Sequence, residues 1–148
     1  MPMLSQINAA EEAEVRDALA RVGRVQTAEE AIRRLGGRDI AALFGAAARA
    51  SERGMAVLVD GFIVSAAVLA LVRSAPAARP SFLFAHRSTE PGHQRVLEAL
   101  EATPLLDLRL RLGEASGALL ALSLLDHACA LHSRMATFAS AGVPESGA

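Results

Sequence analysis

Two polar segments that follow apolar runs hold residues well placed for chemistry. Asp60 and Gly61 follow one apolar run, and the loop 86–90, which contains Ser88, follows another. In parallel α/β sheets ligands bind at the carboxyl ends of the strands, so both segments are candidate binding sites. The alternative is that these side chains cap the helices that follow them. For Asp60 the two interpretations are balanced, whereas for the loop 86–90 capping is favoured.

Glu114 is a third candidate, because it lies in an apolar setting between Gly113 and Ala115. Its nearest basic neighbour in the sequence is Arg111. A carboxylate partly removed from water in such a setting could act as a general base. The alternative is an exposed position in the first turn of a helix, stabilised by the helix dipole, and spacing alone favours that alternative.

The sequence predicts neither a metal site nor a bound cofactor. His127 and His132 are five residues apart, which does not place two ligands on one helical face. Cys129 is the single cysteine and excludes an internal disulfide, and its apolar surroundings predict a buried structural thiol. No dinucleotide-binding or phosphate-binding glycine motif is present in the sequence.

Composition argues against nucleic acid and against a membrane as partners. The formal net charge of -1 gives no electrostatic attraction to either, and aromatic residues make up only 3% of the chain. The apolar run 55–72 is interrupted by Asp60, which is costly in hydrocarbon. The N-terminus lacks the pattern of a secretory signal, so we expect a cytoplasmic protein.

All fifteen basic residues are arginine, so this chain cannot supply a catalytic lysine.

The periodicity of apolar residues predicts an α/β fold with parallel strand pairing. Thr27 and Glu30 form a capping box that begins a short helix, Gly36-Gly37 ends it, and Asp39 caps the next helix. Alternating leucines predict a half-buried extended segment over 106–112. Two strands are too few for a complete doubly wound domain, so the sheet should be part of a larger one. The predicted helices are 11–22, 27–35, 40–52, 62–73, one beginning at Pro91, and 116–138, and the predicted strands are 55–59 and 82–85.

Five strings of the sequence, in order, carry a resemblance to a known family: RRLGGRDIAALFGAA, VLVDGFIVSAAVLAL, FLFAHRSTEPGHQRVLEAL, PLLDLRLRLGEASGALLALSLLDHA and MATFASAGV. The chain resembles the C-terminal half of the nicotinate-nucleotide–dimethylbenzimidazole phosphoribosyltransferases over about 15–143. The resemblance implies part of a Rossmann-like parallel sheet with flanking helices and a long C-terminal helix. It implies a single partial domain, with the α/β part at 27–113 and the helical part at 114–148.

The resemblance also implies an activity and roles for particular residues. The family transfers phosphoribose from nicotinate mononucleotide to 5,6-dimethylbenzimidazole, forming α-ribazole phosphate for the lower ligand of cobalamin. Glu114 matches the catalytic glutamate, which takes the proton from the benzimidazole. Leu112 and Gly113 would line the base pocket, and Asp60, Gly61 and Ser88 match the loops that hold the mononucleotide.

The departures from the family pattern imply an incomplete site. The family's upstream glycine-rich loop is absent, and no lysine stands near 10–12, where the motif lysine would fall. We therefore expect the chain to be slow or inert alone and to need a complementary N-terminal chain or a homodimer. The alternative is a non-catalytic truncated paralogue that serves as a ligand-binding or dimerisation module.

Overall fold

The computed structural model describes residues 9–110 and 113–142, and it shows a mixed α/β fold. The helices are α1 (Ala9–Val22), α2 (Ala28–Ala31), α3 (Gly37–Glu52), α4 (Phe62–Ser74), α5 (Pro91–Ala99) and α6 (Ser116–Arg134). A π-helical turn at Ile32–Gly36 joins α2 to α3, and a 3₁₀ helix at Pro76–Ser81 precedes the second strand. The strands are β1 (Val57–Val59) and β2 (Phe82–Phe84).

The two strands pair in parallel, as the alternation of strands and helices predicts. Val57 pairs with Phe82 and Val59 with Phe84. A further extended segment lies along the other edge of β2, where the amide of Leu106 donates to the carbonyl of Ala85 at 3.0 Å. The extended segment predicted over 106–112 is correct at its start and wrong over 108–110, and residues 111–112 lie outside the described residues. Leu108 is 56% exposed, and Arg109 adopts a left-handed φ of 53°, which ends the extended conformation.

The core lies between the sheet and the central helices. α4 packs against α3 and α5, and no membrane-spanning helix is found among the described residues. Burial of apolar surface at about 25 cal/mol per Å² is the main force that holds these layers together. The buried apolar residues that form one cluster are Ala47, Val59, Val68, Leu71, Ala78, Phe82, Phe84, Leu97 and Leu100.

The helix before β1 differs from the prediction in one respect. Thr27 caps α2 as predicted, since its Oγ1 accepts from the amide of Glu30 at 3.1 Å. The helical segment that begins with α2 ends at Gly36, as predicted, because Gly37 leaves helical geometry at φ 69°, but α3 begins at Gly37 with no intervening loop. Asp39 therefore lies inside the first turn of α3 and makes no capping bond.

The C-terminal helix exposes its apolar side chains. Within α6 only Gly117 and Ala121 are buried, and Cys129 is exposed, so the prediction of a buried thiol is wrong. The physical reason is that no described element packs over the outer face of α6. The large apolar residues exposed on α6 and just after it are Leu119, Leu120, Leu122, Leu124, Leu131, Met135 and Phe138.

Arg79 ties the end of α5 to β2. Its guanidinium donates to the carbonyls of Leu100 at 2.8 Å, Phe82 at 3.2 Å and Glu101 at 3.3 Å. The carbonyls of Leu100 and Glu101 follow the last turn of α5, where no further helical amide can bond them. Arg79 thus satisfies polar groups that the fold would otherwise leave without a partner.

We expect Arg79→Lys to lower the free energy of unfolding by about 1–3 kcal/mol, because an ammonium group cannot reproduce three bonds from one planar fork. Urea unfolding followed by circular dichroism measures the change. Arg95→Lys, at an exposed position of α5, is the matched control and should change stability by less than about 0.5 kcal/mol. Equal effects of the two substitutions would contradict the role given to Arg79.

Candidate functional site

A cleft of about 720 Å³ lies at the carboxyl ends of β1 and β2. Five of the six residues predicted from the sequence line it: Asp60, Gly61, Ser88, Gly113 and Glu114. The sixth, Leu112, lies outside the described residues. The remaining lining residues are Phe62, Ile63, Val64, His86, Glu90, Leu110 and Ala115. The fold therefore brings three distant segments of the sequence to one place, although the role of each residue stays a prediction.

Three helices begin at this cleft. Gly61 immediately precedes α4, Glu90 precedes α5 and Ala115 precedes α6, and all three residues line the cleft. The first amides of a helix lack intrahelical acceptors and carry the positive end of its dipole. A cleft at which three such ends meet favours anionic or oxygen-rich ligands.

Asp60 caps a helix, but not the helix that follows it in sequence. Its Oδ1 accepts a hydrogen bond from the amide of Ala118, in the first turn of α6, at 2.8 Å. The predicted cap of the following helix is therefore not formed, since no side chain caps α4, and Asp60 instead lines the cleft. Since Asp60 follows β1, this bond fixes the start of α6 to the sheet.

His86 belongs to the cleft, although sequence reasoning gave it no role. It is 4% exposed, its Nε2 lies 3.8 Å from Oδ1 of Asp60, and its Nδ1 has no hydrogen-bond partner among the described residues. The ring rests on Gly117, where an added Cβ would overlap its Cδ2. The available signal was its place in the loop after β2, two residues beyond Phe84, whereas Asp60 directly follows β1.

The buried side chain of His93 accepts a hydrogen bond from the backbone of Ser88. The amide of Ser88 donates to Nδ1 of His93 at 2.9 Å, and Nε2 of His93 lies 3.1 Å from Oγ of Ser65. The Ser88 hydroxyl in turn accepts from the amide of Glu90 at 3.3 Å. Burial, followed by the neighbouring His86, lowers the pKa of His93 below its ordinary value. The predicted cap of α5 is not formed, since no side chain caps that helix.

Glu114 lies in a turn of unusual backbone geometry. Gly113, Glu114 and Ala115 have φ values of 70°, 55° and 61°, so two consecutive non-glycine residues are left-handed. Each such residue costs about 1 kcal/mol or more, and strain of this kind is concentrated at functional sites. Glu114 is exposed and precedes α6, so neither partial removal from water nor a place within the helix is found in this chain.

The cleft has an apolar wall and an acidic charge. Phe62, Ile63, Val64 and Leu110 supply a surface suited to a flat aromatic ring. The ionisable carboxylates of the lining belong to Asp60, Glu90 and Glu114, and no arginine is among the described lining residues. Within 9–110 and 113–142 no group of His, Cys, Asp and Glu has the arrangement of a metal site.

Comparison with known proteins places the chain in a family. A family model described as a phosphoribosyltransferase (DBI_PRT) matches residues 6–143. A nicotinate-nucleotide–dimethylbenzimidazole phosphoribosyltransferase of Azotobacter vinelandii is 61% identical over 118 residues, which are 80% of this chain and 34% of that relative. A relative of the same name from Xanthomonas oryzae pv. oryzae is 56% identical over 128 residues, 86% of this chain and 37% of its own length.

A solved structure agrees with these relatives. The crystal structure of the phosphoribosyltransferase of that name from Thermus thermophilus has a TM-score of 0.84 and 40% sequence identity, and the match covers 93% of this chain and 41% of that one. The chain therefore belongs to the nicotinate-nucleotide–dimethylbenzimidazole phosphoribosyltransferase family and spans about a third of the length of the curated relatives it matches.

Proposed function

We propose that this chain supplies part of the active site of an enzyme that transfers phosphoribose from nicotinate mononucleotide to 5,6-dimethylbenzimidazole. The products are α-ribazole phosphate and nicotinate. The observation that carries the proposal is the cleft, in which three helix N-termini, an apolar wall and an exposed glutamate meet. The family membership of the chain supports the same reaction.

Glu114 is the proposed general base. One nitrogen of the benzimidazole attacks the anomeric carbon of the ribose, and the bond from that carbon to the nicotinate nitrogen breaks. The nicotinate ring leaves with the bonding electrons and becomes neutral, so it needs no acid. Glu114 takes the proton from the other benzimidazole nitrogen, which prevents a positive charge from remaining on the product.

The other site residues divide between the two substrates. The apolar wall with Phe62 and Leu110, joined by Leu112 and Gly113, would bind the flat benzimidazole. Gly61 and Ser88, at the starts of α4 and α5, would bind oxygens of the mononucleotide. Asp60 contributes by holding α6, since its Oδ1 already accepts from Ala118.

The described lining of the cleft is poorly suited to the phosphate of the mononucleotide. The carboxylates of Asp60, Glu90 and Glu114 oppose an anion, and no arginine is among the described lining residues. Helix amides give oriented dipoles, but phosphate binding in proteins commonly adds arginine or lysine. We infer that the cationic groups come from a second polypeptide segment, either a complementary N-terminal chain or a second copy of this chain.

The exposed face of α6 supports a covering partner. Leu119 is 64% exposed and Leu131 62%, and Met135 and Phe138 beyond the helix are more exposed still. Apolar patches of this extent usually mark an interaction surface. A polypeptide that covers this face would also lie beside the start of α6, and therefore beside Glu114.

The test of the proposed function is complementation. The chain is mixed with the part of the Azotobacter vinelandii relative that lies outside the matched region, and α-ribazole phosphate formation is followed by chromatography. We expect turnover of the mixture at least about 10²-fold above that of either polypeptide, because oriented charge supplies much of the rate in such sites. Glu52→Gln is a control that should leave complementation intact, since Glu52 is exposed on α3 and does not line the cleft.

Absence of turnover in the mixture would favour the second candidate function, a non-catalytic ligand-binding or dimerisation module. The acidic cleft without an arginine among its described lining residues is the observation that favours it. Calorimetric titration separates the two possibilities further. Binding of 5,6-dimethylbenzimidazole without turnover indicates a ligand-binding module, and binding of neither substrate contradicts the proposed site.

A further inference from the structure

His93 lies behind the cleft and is not assigned a role in the reaction. None of its side chain is exposed, and both of its ring nitrogens have partners. The backbone amide of Ser88 can only donate, so Nδ1 of His93 must be the acceptor and carries no proton. The neutral ring then carries its proton on Nε2, which donates to Oγ of Ser65.

His93 also binds the other end of the same loop. Its backbone amide donates to the carbonyl of Glu90 at 3.0 Å, while its side chain accepts from the amide of Ser88. Ser88 and Glu90 both line the cleft, and His93 does not. His93 thus makes a hydrogen bond to each end of the Ser88–Glu90 loop, from the side of the loop that faces away from the cleft.

Neighbouring motifs keep His93 in place. Ser65 is fully buried in α4, and a Cβ at Gly92 would lie 2.5 Å from the ring of Phe62. The close approach of Gly92 to Phe62 brings α5 against α4, which places His93 within reach of Ser65. A substitution at any of these positions therefore acts on the loop through His93.

We propose that His93 is a positioning residue for the nucleotide, which holds the Ser88 amide and so fixes the Ser88–Glu90 edge of the cleft in its binding conformation. This inference rests on the proposed function, because it assumes that this edge binds nicotinate mononucleotide. It assigns His93 no contact with the substrate. Affinity for the nucleotide should therefore depend on the acceptor at Nδ1 and not on the presence of an imidazole ring.

The same geometry makes the loop sensitive to acid. Protonated His93 would direct a second N–H group at the Ser88 amide, which removes the hydrogen bond. Burial lowers the pKa of His93, His86 and Arg87 act in the same direction, and Asp60 opposes them. The stabilisation is present above the ordinary range of histidine and is lost as pH falls through the lowered pKa.

Two substitutions separate the roles of the ring nitrogens. His93→Asn keeps an acceptor near the position of Nδ1, whereas His93→Gln keeps a donor near Nε2 and loses that acceptor. Binding of nicotinate mononucleotide to the complemented enzyme, in which the second polypeptide supplies the cationic groups, is measured by calorimetry at about pH 8, where histidine is neutral. We expect His93→Asn to bind within about twofold of the wild type and His93→Gln to bind roughly fivefold more weakly, the loss expected for one hydrogen bond.

Two further readouts distinguish positioning from general destabilisation. Affinity for 5,6-dimethylbenzimidazole should change less than affinity for the nucleotide. Phe62 of its proposed wall lies near His93, with ring centroids 6.3 Å apart, but the Ser88–Glu90 edge that His93 holds is not part of that wall. Between about pH 8 and pH 5, nucleotide affinity should fall more in the wild type than in His93→Asn, which has no imidazole to protonate there. The phosphate of the nucleotide titrates in both proteins, so the difference between them isolates His93.

The possible outcomes are distinct. If the complemented wild-type enzyme does not bind the nucleotide, the proposed function fails and this inference fails with it. If the wild type binds but the two variants are weakened equally, or neither is, only the inference is wrong. If both variants unfold, ¹⁵N spectra of the wild-type imidazoles decide the question: a proton on Nδ1 of His93 at neutral pH would overturn the proposal, and a proton on Nε2 would support it.

Discussion

Glu114→Gln is expected to lower kcat of the complemented enzyme by about 10²–10⁴-fold, the range that general base catalysis contributes. Glutamine keeps the size of the side chain and its place in the left-handed turn, but it cannot accept the benzimidazole proton. Because Glu114 is proposed to act on the reaction and not to hold the nucleotide, the Kd of nicotinate mononucleotide should change by less than about threefold. Steady-state turnover and calorimetry on the same preparations measure the two effects.

Two comparisons make this prediction specific. Glu52→Gln removes an exposed carboxylate that pairs with Arg49 on α3, and it should leave turnover unchanged. The acid limb of the wild-type pH–rate profile, where the base becomes protonated, should be absent from the residual activity of Glu114→Gln. Residual turnover above about half of the wild-type value would exclude Glu114 as the base, because it lies far outside that range.

Much of the cleft could be predicted from the sequence, because its residues follow strands. Asp60 and Ser88 were candidates once the parallel sheet was inferred, since the ends of parallel strands meet at one edge. The resemblance to the family favoured Glu114 as a site residue, which was already a candidate but which spacing alone placed in an exposed helical turn. In the structure Glu114 lines the same cleft, in a turn that a single sequence does not reveal.

The sequence did not predict which distant residue each polar side chain contacts in the folded chain. Asp60 is close enough in sequence to cap α4, yet it caps α6, 58 residues away along the chain. His86 and His93 look like ordinary histidines until the packing of Gly117 and Gly92 is known. Such contacts depend on tertiary packing, which local spacing does not encode.

Burial was also beyond the reach of local pattern in α6. The leucine-rich stretch around Cys129 indicated a buried helix, but the structure exposes it. An apolar pattern shows that a face requires a covering surface and does not show which element supplies it. The glycine pair at 36–37 is a different case, since it correctly indicates the end of a helical segment but does not show that α3 begins at Gly37 without a loop.

Gly117→Ala is expected to lower the free energy of unfolding by about 1–3 kcal/mol through overpacking. A Cβ at this position would overlap Cδ2 of His86 and would lie 2.6 Å from its Cγ and 2.7 Å from its Nε2. The His86 ring is 4% exposed and has Asp60 at one side and His93 at another, so it has little room to move. Chemical denaturation followed by circular dichroism measures the loss.

The matched control is Gly45→Ala in α3. Gly45 is exposed, and an added Cβ would have no atom within 4 Å, so the substitution should raise stability by about 0.5–1 kcal/mol through helix propensity. Opposite signs for two glycine-to-alanine changes in helices would show that the cost at Gly117 comes from the His86 contact. If both substitutions lower the free energy of unfolding, the cost at Gly117 cannot be assigned to the contact with His86.

A double variant identifies the contact directly. His86→Ala removes the ring that a Cβ at position 117 would strike, so Gly117→Ala should cost at least about 1 kcal/mol less in that background than in the wild type. Turnover of the complemented enzyme should follow stability at Gly117, because the start of α6 sets the position of the Glu114 turn and is held to β1 by Asp60. Additive effects of the two substitutions would mean that the ring and the glycine are independent, and that the packing of α6 against His86 does not position Glu114.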